Sequence, residues 1–196
     1  MAASGLCFAW QSQRHVIVKA GIAVIAGLAA ALVACHSKMS GGVGNGAVGH
    51  ATIRSASGAT LGELALSSSE NVIHIKGHLT SLSPGAHGIH IHETGKCDAP
   101  GFTTASAHLN PGSTKHGLNN PAGPHAGDMP NIMANAAGEA DVDLITRTAI
   151  SLTPGTSGGL FDADGSAIVV HAQEDDQVTD PSGNSGARIA CGVVER

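Results

Sequence analysis

From residue 48 onward, apolar and polar positions alternate in short runs, as they do in strands whose successive side chains face opposite sides of a sheet. Residues 48–56 alternate loosely, Ser57-Gly58 marks a turn, and 60–66 resumes the alternation, which predicts a hairpin. A third strand is predicted over 71–79, with Val72-Ile73-His74-Ile75 as its clearest stretch, and Ser83-Pro84-Gly85 separates it from a fourth over 86–93. Strands resume over 131–135, 139–145, 166–171 and 188–194. No stretch sustains a helical period. Seven or eight short strands between turn signals predict an all-β fold, an antiparallel sandwich or barrel.

Three interruptions break the pattern. Residues 94–130 have neither period and are rich in Gly, Pro, Asn, Ser and His. A loop of that length inside a compact domain needs an organising force, and metal ligation would supply one. A second loop carries Thr153-Pro154-Gly155 and Gly158-Gly159, and a third, 172–187, is acidic and contains Gly183 and Gly186.

The candidate chemistry begins at Gly88-Ile89-His90-Ile91-His92. On a strand, residues two apart share a face, so His90 and His92 project together as two ligands of one ion must. The pair alone is a weak signal, since half-exposed histidines on the polar face of a sheet have the same spacing. His108, His116, His125, Asp128 and His171 follow it, more imidazole than a surface requires. Neutral imidazole suits copper and zinc, and carboxylate is a common zinc ligand.

Ahead of the strands, Arg14 and Lys19 flank an apolar run over 20–34 that ends in Leu32-Val33-Ala34-Cys35. A basic region followed by a short apolar one reads as an export signal rather than a membrane span. The ending resembles a bacterial lipobox, in which Cys35 would be lipidated. An ordinary secretory peptide and an uncleaved anchor are the alternatives. On this reading 1–34 is a signal peptide, 35–46 a flexible Gly-rich tether, and 47–196 one folded domain. The protein is then exported, periplasmic or in the cell envelope, and held to a membrane by the lipid. Its globular part keeps Cys97 and Cys191, which in an oxidising compartment read most simply as one disulfide. Closing so long a loop is worth roughly 4 to 5 kcal/mol in the chain-entropy model.

The net charge of −5 and the lack of a basic run argue against a nucleic-acid partner. The chain has no Tyr, a single Trp and three Phe. Its core must therefore be Ala, Val, Ile and Leu, with metals and a disulfide adding stability.

Taken together, these residues resemble copper-zinc superoxide dismutase of the exported bacterial type. Gly88-Ile89-His90-Ile91-His92-Glu93-Thr94-Gly95 is similar to the family's first signature, and residues 183–194, from Gly183-Asn184-Ser185-Gly186 through Arg188 and Cys191, to its second. His108-Leu109-Asn110-Pro111, Lys115-His116-Gly117, His125-Ala126-Gly127-Asp128 and Val170-His171 fall between them in the family's order.

The resemblance implies a Greek-key antiparallel β-sandwich or flattened barrel of about eight strands, with long metal-binding and electrostatic loops. It implies one copper and one zinc per subunit: copper on His90, His92, His108 and His171, zinc on His108, His116, His125 and Asp128, with His108 bridging. It further implies disproportionation of superoxide to O₂ and H₂O₂ by copper redox cycling, in which His108 releases copper on reduction, takes up a proton and passes it to peroxide. Arg188 would attract and orient superoxide at the copper mouth, a steering effect for which this enzyme is itself a known example. Asp175 would link a copper histidine to a zinc histidine, with neighbouring Asp176 the residue most easily mistaken for it. Cys97–Cys191 would tie the loop after His92 to the strand bearing Arg188.

The 172–187 loop departs from some relatives in having no lysine, which leaves Lys96 and Lys115 as candidate steering cations. Of the other histidines, His74 and His78 are expected to face solvent, His78 or His87 to cap a turn, and His36 and His50 to bind no metal. The sequence does not fix the oligomeric state, a homodimer included. A metal store without turnover and a plain adhesion sandwich are the competing readings; Arg188 beside a full copper set favours the enzyme over the store, and purified protein without bound metal would favour the sandwich.

Overall fold

The computed structural model describes residues 46–196; the predicted leader, Cys35 and the tether up to residue 45 lie outside them. Among the described residues there are nine strands: β1 (Gly46–Ser55), β2 (Thr60–Ser69), β3 (Val72–Leu79), β4 (Gly85–His87), β5 (Ile89–His92), β6 (Ile132–Ala134), β7 (Ala140–Ile145), β8 (Ala167–His171) and β9 (Arg188–Val193). Among the described residues the one helical segment is a single 3-10 turn, Thr103–Ala105. Seven strands form an antiparallel sheet in the order β5-β8-β9-β1-β2-β3-β7, and β4 pairs with β6. The all-β architecture expected from the alternation is present.

The alternation decides which face goes inward. Ile73 and Ile75 on β3 and Val142 and Leu144 on β7 bury one side, while His74, Lys76, Asp141 and Asp143 line the other. His74 and His78 meet Asp143 and Asp141 across the β3–β7 pair, at 2.6 Å and 2.8 Å.

β5 and β8 differ in being buried along their whole length. Ile89, Ile91, Ile168 and Val170 enter the main core, and the opposite faces lie beneath the long loops. There Ala167, Val169 and Cys191 pack with Phe102 and Ala105 in a second, smaller cluster. The Cys97–Cys191 disulfide closes that cluster, with Cα atoms 5.6 Å apart.

The fourth predicted strand is two strands. Alternation runs unbroken through 86–93, yet the Gly88 N–H donates to the Gln173 carbonyl, 2.8 Å away, instead of to a neighbouring strand. β4 thus joins one sheet and β5 the other.

Candidate metal centre

β5 supplies the first two imidazoles. Since Ile89 and Ile91 face the core, His90 and His92 must point outward, under the loops, where both are fully buried. β8 pairs with β5 in the register His90↔Val169, so alternation along β8 puts His171, two residues after Val169, on the same side; the skipped Ile189 on β9 brings Arg188 opposite it.

The long loop completes the set by docking on the free edge of β5. The Leu109 N–H donates to the Ile91 carbonyl at 2.8 Å, and the Ile91 N–H to the Gly127 carbonyl at 3.0 Å. Both ends of the loop's central section are thereby fixed, placing His108 beside His92 and Asp128 beside His90. Only glycine fits at 127, where a Cβ would collide with the Ile91 carbonyl.

Two donor clusters result. In each, the ligand atoms lie within 4.8 Å of one another: His90, His92, His108 and His171 in the first, His108, His116, His125 and Asp128 in the second. In the first, His90 Nδ1, His92 Nε2, His108 Nε2 and His171 Nε2 are buried without any hydrogen-bond partner. Four unsatisfied nitrogens converging on one point is costly unless something binds there. Burial keeps these rings neutral and ready to ligate: with the other imidazoles nearby, it lowers His90 to about 3, His171 to about 4 and His92 further still.

In the second cluster, Asp128 Oδ1 lies 2.9 Å, 3.0 Å and 3.3 Å from Nδ1 of His108, His116 and His125. His125 Nδ1 is 3.4 Å from His108 Nδ1. Donors about 2.1 Å from a tetrahedral zinc would be about 3.4 Å apart, so this set fits zinc and leaves no open position. The other oxygen of Asp128 accepts the Gly117 and His125 N–H groups at 2.8 Å and 2.9 Å, which aims the carboxylate. Burial raises its pKa, but the three imidazoles and the Gly117 amide outweigh that and hold it well below the usual carboxylate range. His108 belongs to both clusters, one ring nitrogen facing each.

The family-model comparison matches residues 60–194 to copper/zinc superoxide dismutase. The chain belongs to that family. Among curated relatives, superoxide dismutase [Cu-Zn] 1 of Aquifex aeolicus is 44% identical over 147 residues, 74% of this chain and 86% of the relative. Superoxide dismutase [Cu-Zn] of Caulobacter vibrioides is 40% identical, covering 74% and 84%. Among solved structures, a double mutant of a SOD-like protein from Bacillus subtilis is 42% identical with a TM-score of 0.69, covering 75% of this chain and 97% of that one.

As a copper-zinc dismutase, the chain ties its two clusters together from behind. Asp175, fully buried, accepts from His90 Nε2 at 2.7 Å and from His116 Nε2 at 3.0 Å. It is this carboxylate, not Asp176, that joins them; Asp176 turns away to the amides of Val178 and Thr179. Burial disfavours the ionised form of Asp175, and the His116 and His90 N–H groups more than offset this. His116 shows the converse. Burial lowers its pKa, but Asp128 and Asp175 together raise it to about 9. Gly183, with φ of 62°, packs its backbone so closely on Asp175 that no side chain fits there.

Arg188 shares with His108, His125, His171, Glu93 and Pro181 a cavity of about 400 Å³. Its guanidinium is fixed by Nη1 to the Phe102 carbonyl at 2.8 Å and by Nη2 to the Ser106 carbonyl at 2.6 Å. His92 Nδ1 donates to the same Ser106 oxygen at 3.0 Å. One carbonyl therefore sets both an imidazole of the first cluster and the cavity's cation. A larger cavity of about 560 Å³ beside the disulfide contains no histidine and is not the metal centre.

Sequence reasoning missed three contributors. Ser106 acts through its backbone, and it does so at φ 65°, ψ −146°, a region nearly exclusive to glycine. Asn131 clamps Asp175 from both sides, donating to its carbonyl at 2.8 Å and accepting its N–H at 2.9 Å. His87 is buried and does more than cap the turn at Ser83. Its Nε2 lies 2.7 Å from the Ser83 carbonyl and its Nδ1 2.7 Å from the carbonyl of His171. The signal available for Asn131 and His87 was only their place beside predicted strand ends.

Proposed function

We propose that this chain disproportionates superoxide with copper held by His90, His92, His108 and His171 and zinc held by His108, His116, His125 and Asp128. The observation that carries the reading is His108, whose Nε2 faces three unsatisfied imidazole nitrogens and whose Nδ1 faces Asp128. Bound copper supplies a one-electron couple, so that one superoxide loses an electron to give O₂ and a second, with two protons, gains it to give H₂O₂.

The chain's residues do the rest. Arg188 offers a fixed positive charge to a small anion entering the cavity, and two backbone carbonyls prevent it from swinging away. His108 Nε2 is the atom able to hold a proton for the product whenever it is not ligating, while Nδ1 stays anchored on the zinc side. His108, His116, His125 and Asp128 would hold zinc in a closed donor set, where it would order the long loop and supply no electron transfer.

The protein is exported, in keeping with its disulfide. The lipobox-like ending at Cys35 supports a lipid-anchored form in the cell envelope, with 35–46 as tether and 47–196 as the catalytic domain. A superoxide-consumption assay on protein loaded with both metals tests the activity. Stoichiometric metal without consumption would leave a metal store instead.

A further inference from the structure

We infer that Asp180 is a positioning residue that docks the 172–187 loop onto the zinc-binding segment and, in the same contact, removes Lys115 from the set of steering charges. This rests on the zinc assignment proposed above. Asp180 reaches three groups of that segment. Its Oδ1 accepts the backbone N–H of His116 at 2.9 Å and lies 3.9 Å from His125 Nε2. Its Oδ2 accepts from Lys115 Nζ at 2.9 Å.

The next two residues, Pro181 and Ser182, line the cavity that holds His108, His171 and Arg188. One carboxylate thus joins the backbone of a zinc-cluster histidine to the wall of the substrate cavity. Other contacts run alongside it. The Asn119 N–H donates to the Gln177 carbonyl at 3.0 Å and Asn120 Nδ2 to that of Val178 at 3.1 Å, but none of these residues lines the cavity or adjoins one that does. Asp180 is the contact adjacent to the wall.

The ion pair also settles a question of charge. Lys115, one residue before His116, does not line the cavity, and Asp180 offsets its charge at 2.9 Å. Arg188 is the one Arg or Lys among the residues lining the cavity. Substrate attraction depends on a single guanidinium, and zinc release loosens the wall facing it.

The test uses the full chain loaded with zinc but not copper, with zinc release to excess chelator followed by stopped flow. Wild type should hold one zinc and release it slowly. In Asp180→Ala, which loses both the His116 amide acceptor and the Lys115 partner, release should be at least about tenfold faster, the lower end of the range for groups that support metal ligands. Asp180→Asn keeps one acceptor oxygen and should fall between the two. Lys115→Met leaves the bond to the His116 amide and should release zinc within about twofold of wild type. Limited proteolysis at 172–187 should accelerate in the order of zinc release. Wild-type release from Asp180→Ala would overturn the inference, as would Lys115→Met behaving like Asp180→Ala. A wild-type chain that holds no zinc would instead overturn the zinc assignment beneath it.

Discussion

Replacing Asp175 by Ala should weaken both halves of the centre at once, by an amount the structure allows us to work out. The carboxylate accepts from His90 Nε2 and His116 Nε2, and all three side chains are fully buried. Its removal leaves two buried imidazole N–H donors unsatisfied, each costing about 1–3 kcal/mol, and frees the part-buried Gln177 amide as well, so the metal-free protein should lose about 2–6 kcal/mol of stability from the imidazoles alone. Zinc affinity should fall about 10–100-fold, since His116 keeps its ligating nitrogen toward Asp128 but loses the bond that orients the ring. A compensating term operates near neutrality. Asp175 helps raise the pKa of His116 to about 9, so the variant needs to displace less proton to bind zinc. The affinity loss should therefore look smaller at pH 7 than above pH 9, where His116 is deprotonated in both proteins. Chelator competition on copper-free protein at the two pH values, with thermal unfolding of the metal-free forms, gives all three quantities. A zinc affinity within about threefold of wild type above pH 9, together with an unchanged melting temperature, would refute the reasoning.

Arg188→Ala should slow superoxide consumption about tenfold or more and flatten its dependence on salt with metal content unchanged; loss of copper would make the residue structural instead. At position 106 the usual preference for Ala over Gly should reverse: Ser106→Gly should melt higher than Ser106→Ala, because the backbone there lies in a region worth about 1–3 kcal/mol of strain to a residue with a Cβ. If Ala proves the more stable, that strain is absent. Metal-free protein should be most stable near pH 6.5. Below it, unfolded histidines bind protons that His90 and His171 refuse until about 3 and about 4; above it, the contribution of protonated His116 is lost as pH rises through about 9. A melting temperature that stays flat from pH 4 to pH 9 would contradict this. Cys35→Ser should release the protein from membranes, and a variant that still partitions with lipid would point to an uncleaved apolar segment.

The fold was legible because alternation is a direct record of which side of a sheet each residue faces. Ile73, Ile75, Val142 and Leu144 announce an inner face, and His90 and His92 announce a pair of ligands, from spacing alone. Gly88 escaped because the alternation does not change when a strand switches partners; only the ladder does. The candidate site was legible wherever a side chain carries the chemistry, as with His108, Asp128 and Asp175. It was not legible where a carbonyl or amide does the holding, as at Ser106, or where a side chain works on another residue's backbone, as at Asn131 and His87. The pairing of Lys115 with Asp180, 65 residues apart, depends on two loops folding against each other, which no local pattern encodes.

The central claim is that one imidazole joins two different metal ions, and electron paramagnetic resonance of protein carrying Cu(II) in the first cluster and Co(II) in the second tests it most directly. Ions bridged through the two nitrogens of His108 should couple, so that the Cu(II) signal seen with zinc in the second cluster is lost on replacing zinc by cobalt. Independent Cu(II) and Co(II) spectra from the doubly loaded protein would contradict the account.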